Sequence, residues 1–195
     1  MIHGNRDTQM AFVKPLLLIA VVLATTNPAM ARVQDSLARL RADLAGKQSA
    51  TQVLTRWCAD LKLSPEAHIR AVRLPENRPA PPWVRARLRT APDEALRYRR
   101  VQLMCGTHVL SEAGNWYRPA RLTARMNDVL DTSQQSFGTV VRPLHFHRRT
   151  LSSTPWPDGA TALRLTAVLE TPDGTPFSLV IENYQPVLVS GTRAK

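Results

Sequence analysis

The strongest constraint on the fold is the tripeptide Pro172-Asp173-Gly174, which separates two segments of alternating polarity. Pro, Asp and Gly each favour the tight turn of a β-hairpin. The residues of the first segment that share one face are all apolar: Leu163, Leu165, Ala167 and Leu169. In the second segment, Phe177, Leu179 and Ile181 share one face, and Ser178, Val180, Glu182 and Tyr184 share the other. The C-terminal part of the chain is therefore predicted to form an antiparallel hairpin within a larger sheet.

The rest of the chain alternates between helical and extended patterns. Apolar residues at helical spacing predict helices over residues 33–45, 48–61, 121–130 and 139–151. Alternation predicts further strands over residues 69–74, 98–105 and 108–113, with loops at 75–82 and 152–159. These elements predict an α+β fold, in which helices flank a single antiparallel β-sheet.

The first 31 residues have the features of a signal peptide. Arg6 and Lys14 precede an apolar run over residues 15–24, and Ala29-Met30-Ala31 forms an A-x-A cleavage site, whether translation starts at Met1 or at Met10. The alternative is a membrane anchor, but a spanning helix needs about 20 apolar residues. We expect cleavage after Ala31, a periplasmic or secreted protein with no membrane span, and one domain over residues 32–195.

Charge and cysteine content limit the class of partner. The formal net charge is +11, and almost all of the positive charge is Arg scattered along the chain. No helix-turn-helix, zinc or RNA-binding motif accompanies it, so we expect no nucleic-acid partner. Cys58 and Cys105 either form a disulfide in an oxidising compartment or are two small buried apolar residues, and the sequence leaves both alternatives open.

Glu182 is the residue with the strongest chemical signal. It lies in the middle of a predicted strand, on a face that it shares with Val180 and Tyr184. A buried carboxylate is costly unless it is paired, and burial raises its pKa, as a general acid or base requires. The alternative is that this face is exposed to water and Glu182 is its charged member.

A series of short motifs resembles the chorismate pyruvate-lyase family, whose fold is shared with the UTRA ligand-binding domains. The motifs, spread over residues 49–186, are Tyr98-x-Arg100, a strand pair around Cys105-Gly106, Trp116-Tyr117-x-Pro119, Ser136-Phe137-Gly138 and a late strand that carries Glu182.

The resemblance implies a role for several residues. Glu182 would be the general acid/base, and Arg100 would bind the carboxylate of an aromatic ligand, although a one-residue slip in register would select Arg99. The backbone at Phe137-Gly138 would contact the same carboxylate. Ala50 stands where the lyases carry a Met over the ring, which would loosen the pocket. No metal and no cofactor are implied.

Two functions follow as expectations. The first is elimination of pyruvate from chorismate to give 4-hydroxybenzoate, a step of ubiquinone synthesis. The second is an exported protein that binds a small aromatic or dicarboxylate ligand without turnover, because chorismate is made in the cytoplasm and an exported lyase would seldom meet it. In either case we expect a monomer.

Overall fold

The computed structural model describes Met1 and residues 27–46 and 49–190. Its helices are α1 (Pro28–Ala45), α2 (Ala50–Asp60), α3 (Pro82–Leu88), α4 (Ala124–Thr132) and α5 (Phe137–Val140). Its strands are β1 (Ile69–Leu74), β2 (Arg97–Cys105), β3 (His108–Tyr117), β4 (His147–Pro155), β5 (Leu163–Glu170) and β6 (Pro176–Tyr184). Short 3-10 turns lie at Pro119–Arg121, Arg142–Leu144 and Pro186–Leu188.

The six strands form one antiparallel sheet in the order β1-β2-β3-β6-β5-β4. Two hairpins depend on glycines in the left-handed region: Gly106 (φ 54°) joins β2 to β3, and Gly174 (φ 79°) joins β5 to β6. At the second turn, the Asp173 carboxylate accepts hydrogen bonds from the Thr171 and Thr175 hydroxyls, at 2.6 and 2.9 Å. The predicted fold class and the predicted C-terminal hairpin are confirmed.

Helices cover both faces of the sheet. Helices α1 and α2 pack their apolar sides on one face, with Leu40, Leu54 and Trp57 fully buried. Helices α4 and α5 extend this cover around Leu130 and Val140. Helix α3 packs on the opposite face. The first face, which four helices cover, is where an internal site can form.

Cys58 and Cys105 form a disulfide that links α2 to the end of β2, with the two Cα atoms 6.2 Å apart. Both residues are fully buried. The structure therefore decides in favour of the disulfide, one of the two alternatives that the sequence left open.

The predicted helix over residues 139–151 is wrong. The helix α5 ends at Val140, a 3-10 turn follows at Arg142–Leu144, and β4 begins at His147. Pro143 interrupts the helical pattern, and β5 offers an unpaired edge along which the next residues pair as a strand. The predicted loop at 152–159 is correspondingly shortened, and α3 is a helix for which the sequence analysis made no prediction.

The apolar run of the predicted signal peptide lies outside the described residues. Its cleavage site falls in the first turn of α1, and the buried residues of this helix all follow it: Leu37, Leu40 and Leu44. Among the helices that the structure describes, none combines the length and the hydrophobicity needed to cross a bilayer.

Candidate functional site

A cavity of about 70 Å³ lies between the helix-covered face of the sheet and the N-termini of α2 and α5. By the same measure one water needs ~10–15 Å³, so the cavity has room for a few waters or for one small ring. Most of its wall is apolar, from Ala50, Val101, Leu103, Ala113, Phe137, Gly138, Phe146, Leu169 and Val180. Its polar wall is formed by Ser49, Thr51, Asn115, Ser136, Arg148 and Glu182.

Hydroxyl groups join the two helix N-termini that form the roof. Ser49 caps α2 through a capping box with Gln52, and Ser136 caps α5. The Ser136 Oγ lies 2.8 Å from both Thr51 Oγ1 and Thr139 Oγ1. Backbone N–H groups at helix N-termini favour negative charge, which makes the roof of the cavity compatible with an anion.

Glu182 lies in the cavity wall and is paired rather than isolated. Only 5% of it is exposed, and its Oε2 accepts hydrogen bonds from Arg148 Nη2 and from the Tyr184 hydroxyl, the latter at 2.9 Å. Neither of these bonds uses Oε1. Burial and the neighbouring carboxylate raise the pKa of Tyr184 well above its ordinary value, so the phenol stays protonated and donates.

Arg148 reaches Glu182 from the edge strand β4. Its side chain is 9% exposed. Burial alone would lower the pKa of Arg148, but the charge and hydrogen bonds of Glu182 and Tyr184 outweigh burial, and the pKa lies above its ordinary value. The Arg148 Nε is buried without a hydrogen-bond partner in the described part of the protein.

Arg99 lies beside the cavity without lining it, and it forms no ion pair with the residues that the structure describes. It is 2% exposed, and two residues beside it on the same face, Val101 and its cross-strand partner Asn115, line the cavity. Its Nη2 donates to the Gln135 carbonyl at 3.1 Å, whereas Nε and Nη1 have no partner among the described residues. Burial, and after it the nearby Arg73, lowers the pKa of Arg99.

The structure places Arg100 outside this site, which corrects the predicted carboxylate-binding residue. Its side chain lies on the opposite face of the sheet, where Nη1 donates to Glu76 Oε2 at 2.6 Å and Nε to Glu112 Oε1 at 2.9 Å. Residues 99, 101, 103 and 105 are the buried set of β2. In the alternating pattern of β2, Arg99 lies on the same face as the apolar residues Val101, Leu103 and Cys105. The sequence therefore already indicated that Arg99, rather than Arg100, faces the core.

The other predicted site residues meet at the cavity. Ala50, Phe137, Gly138 and Glu182 all line it, although they come from three different elements. Their roles in binding or catalysis stay predictions. Arg148 was missed, because the helix expected over residues 139–151 gave no reason to place it opposite β5 and β6.

The arrangement can hold a small anion in a mainly apolar cavity. Arg99 supplies an uncompensated guanidinium, the roof supplies helix N-termini, and the Arg148–Glu182 pair supplies a polar end. Within residues 27–46 and 49–190, no group of three or more His, Cys, Asp or Glu residues is placed to hold a metal ion.

Comparison with solved structures defines the class of fold. The effector domain of PhnF from Mycobacterium smegmatis superposes with a TM-score of 0.50 at 12% identity, covering 72% of this chain and 90% of that domain. Full-length PhnF from the same organism gives a TM-score of 0.51 at 13% identity over 72% of this chain, which spans 64% of PhnF. The fold is therefore that of the UTRA-like ligand-binding domains, as the resemblance implied.

Sequence comparison gives the family. No protein-family model matches the chain. The uncharacterized protein y4mC of Sinorhizobium fredii is 39% identical over 176 residues, which cover 76% of this chain and 73% of y4mC. The chain belongs to the family of y4mC.

Proposed function

We propose that this protein binds a small aromatic carboxylate in the cavity beneath the N-termini of α2 and α5. The observation that carries the proposal is Arg99, a guanidinium that is 2% exposed and keeps two nitrogens without a partner in the described residues. An unpaired buried cation is costly, and ionisable groups perturbed by burial cluster at functional sites.

The walls of the cavity support a ring as the body of the ligand. Phe137 and Phe146 face the apolar floor of the sheet formed by Val101, Leu103 and Val180. Ligand sites of this kind combine an apolar lining with a few polar groups that set orientation. A planar carboxylate matches the two adjacent N–H directions of a guanidinium better than a point charge would.

We further propose that the protein acts outside the cytoplasm. Cleavage after Ala31 would remove only the first turn of α1 and would leave its buried leucines in place. A disulfide such as Cys58–Cys105 is typical of an oxidising compartment. An exported location favours binding over conversion of a cytoplasmic metabolite.

Calorimetric titration of the full-length protein with 4-hydroxybenzoate tests the proposal. Arg99→Gln should weaken binding by roughly 10- to 100-fold, the value of a lost charge-assisted contact. The matched control is Arg100→Gln, the neighbouring arginine on the opposite face, which should bind within about twofold of the wild type because a distant surface change adds little. Equal losses in both variants, or no binding by the wild type, would contradict the proposal.

A second candidate function is chorismate lyase activity, and the position of Glu182 in the cavity is the observation that favours it. Its Oε1 takes part in neither the Arg148 nor the Tyr184 contact, so it could exchange a proton with a ligand. Incubation with chorismate, followed by detection of 4-hydroxybenzoate, tests this function. Turnover that is present in the wild type and lost in Glu182→Gln would make the protein a lyase.

A further inference from the structure

The ionisable groups of the cavity have an uneven charge balance. Of the described residues that line it, Arg148 and Glu182 carry charge. Arg99 is not one of the lining residues, but it is buried next to two of them, Val101 and its cross-strand partner Asn115, and brings a second positive charge close to the cavity. Arg73 and Arg97 lie further out and share the Asp131 carboxylate at the surface, where water screens them. The buried groups therefore sum to one uncompensated positive charge.

The Arg148–Glu182 pair is a buried ion pair in the cavity wall. Both side chains are less than a tenth exposed, and Glu182 also accepts a hydrogen bond from the buried Tyr184. Removing either partner would leave a buried charge alone, which is strongly unfavourable. The pair thus neutralises Arg148 internally and leaves Arg99 as the group that a ligand must neutralise.

We propose that the Arg148–Glu182 pair makes the cavity selective for ligands with a single negative charge. This inference rests on the proposed function and adds the charge of the ligand to it. A carboxylate at Arg99 balances the buried charges. A second carboxylate at the other end of the ring would lie beside Glu182, and two like charges in a poorly solvated site repel strongly.

The consequence for chorismate is direct. Chorismate carries two carboxylates, whereas 4-hydroxybenzoate carries one. A cavity that selects ligands with a single negative charge would exclude chorismate and admit 4-hydroxybenzoate. Chorismate lyase activity, the second candidate function, is therefore incompatible with this selectivity.

Two probes of the same shape isolate the charge. Terephthalate has two carboxylates on opposite ends of a benzene ring, and its monoamide, 4-carbamoylbenzoate, replaces one of them with a neutral amide. Calorimetric titration of the wild-type protein should show that the monoamide binds at least about tenfold more tightly than terephthalate and within a few-fold of 4-hydroxybenzoate. This comparison needs no substitution, so misfolding of a variant cannot affect it.

Variants then assign the selectivity to the pair. Glu182→Gln removes the negative charge, leaves two positive charges, and should raise the affinity for terephthalate by about tenfold or more, with a smaller change for the monoamide. The double variant Arg148→Gln/Glu182→Gln removes the pair without leaving one buried charge alone, so its preference for the monoamide over terephthalate should be smaller than that of the wild type.

The outcomes separate the two proposals. If 4-hydroxybenzoate does not bind the wild type, the proposed function itself fails. If 4-hydroxybenzoate binds but terephthalate binds as tightly as its monoamide, or the monoamide does not bind, the charge selectivity is wrong and the carboxylate site remains. If Glu182→Gln folds and keeps the wild-type preference, the pair is not its cause.

Discussion

At the scale of single residues, Arg99 and Arg100 illustrate how one position along a strand changes the chemistry of a side chain. Arg100 is half-buried between two carboxylates and is satisfied by them. Arg99, one residue earlier, points into the protein and has the Gln135 carbonyl as its hydrogen-bond partner. The first arginine contributes a surface ion-pair network, and the second introduces a buried charge that destabilises the ligand-free protein.

This difference predicts opposite effects of two substitutions on stability. Arg99→Met should raise the free energy of unfolding of the ligand-free protein by about 1 kcal/mol or more, because it removes a buried unpaired cation. Arg118→Met should lower it by ~2–3 kcal/mol, because Arg118 is buried but holds Glu94 through bonds of 2.6 and 3.0 Å. Urea denaturation measures both. A loss of stability in Arg99→Met would mean that the guanidinium is satisfied in the native state.

At the scale of elements, the site depends on how α2 is held against the sheet. Ser49, Ala50 and Thr51 at its N-terminus line the cavity, and Cys58 near its C-terminus is bonded to Cys105 at the end of β2. The disulfide therefore limits the movement of the helix that forms half of the roof. The edge strand β4 also contributes to the site, because it supplies Arg148 to the cavity wall.

Reduction of the disulfide should lower the free energy of unfolding by ~4 kcal/mol, the chain-entropy value for a loop of this size. The two cysteines are 47 residues apart. Denaturation curves with and without a thiol reductant measure the loss, and affinity for 4-hydroxybenzoate should fall with it. The double variant Cys58→Ala/Cys105→Ala is the control, since reductant should leave its curve unchanged. If the denaturation midpoint of the wild-type protein is the same with and without reductant, the prediction is contradicted.

For the molecule as a whole, the proposed export would leave the candidate site intact. All of the described residues that line the cavity on the helix-covered face of the sheet follow Ala31. Removal of residues 1–31 would therefore keep every described residue of the candidate site.

The proposed export predicts which residue begins the mature protein. Expression of the full-length gene product in a Gram-negative host should yield periplasmic protein whose N-terminal sequence begins at Arg32, because Ala29-Met30-Ala31 fits the small-residue requirement of signal peptidase. An Ala31→Leu variant should accumulate with the leader attached. Protein recovered from the cytoplasm with its N-terminus intact would show that the leader does not direct export.

Local sequence patterns were sufficient to predict the fold class, the C-terminal hairpin and which residues of each hairpin strand share a face. These depend on local properties: the Pro172-Asp173-Gly174 turn, the two-residue period of strands and the helical spacing of apolar residues. For this reason the strand period alone places Glu182 on the same face as Val180 and Tyr184. The same two-residue period places Arg99 on one face of its strand with Val101 and Leu103.

Which of these residues come into contact depends on the tertiary structure. Arg148 becomes the partner of Glu182 because residues 147–155 pair along the free edge of β5, and no pattern within that segment specifies this pairing. The disulfide, the contact between the α2 and α5 N-termini and the unpaired state of Arg99 also depend on groups distant in sequence. Pairing of this kind is set by the closure of the sheet and the packing of the helices on it, which local periodicity does not encode.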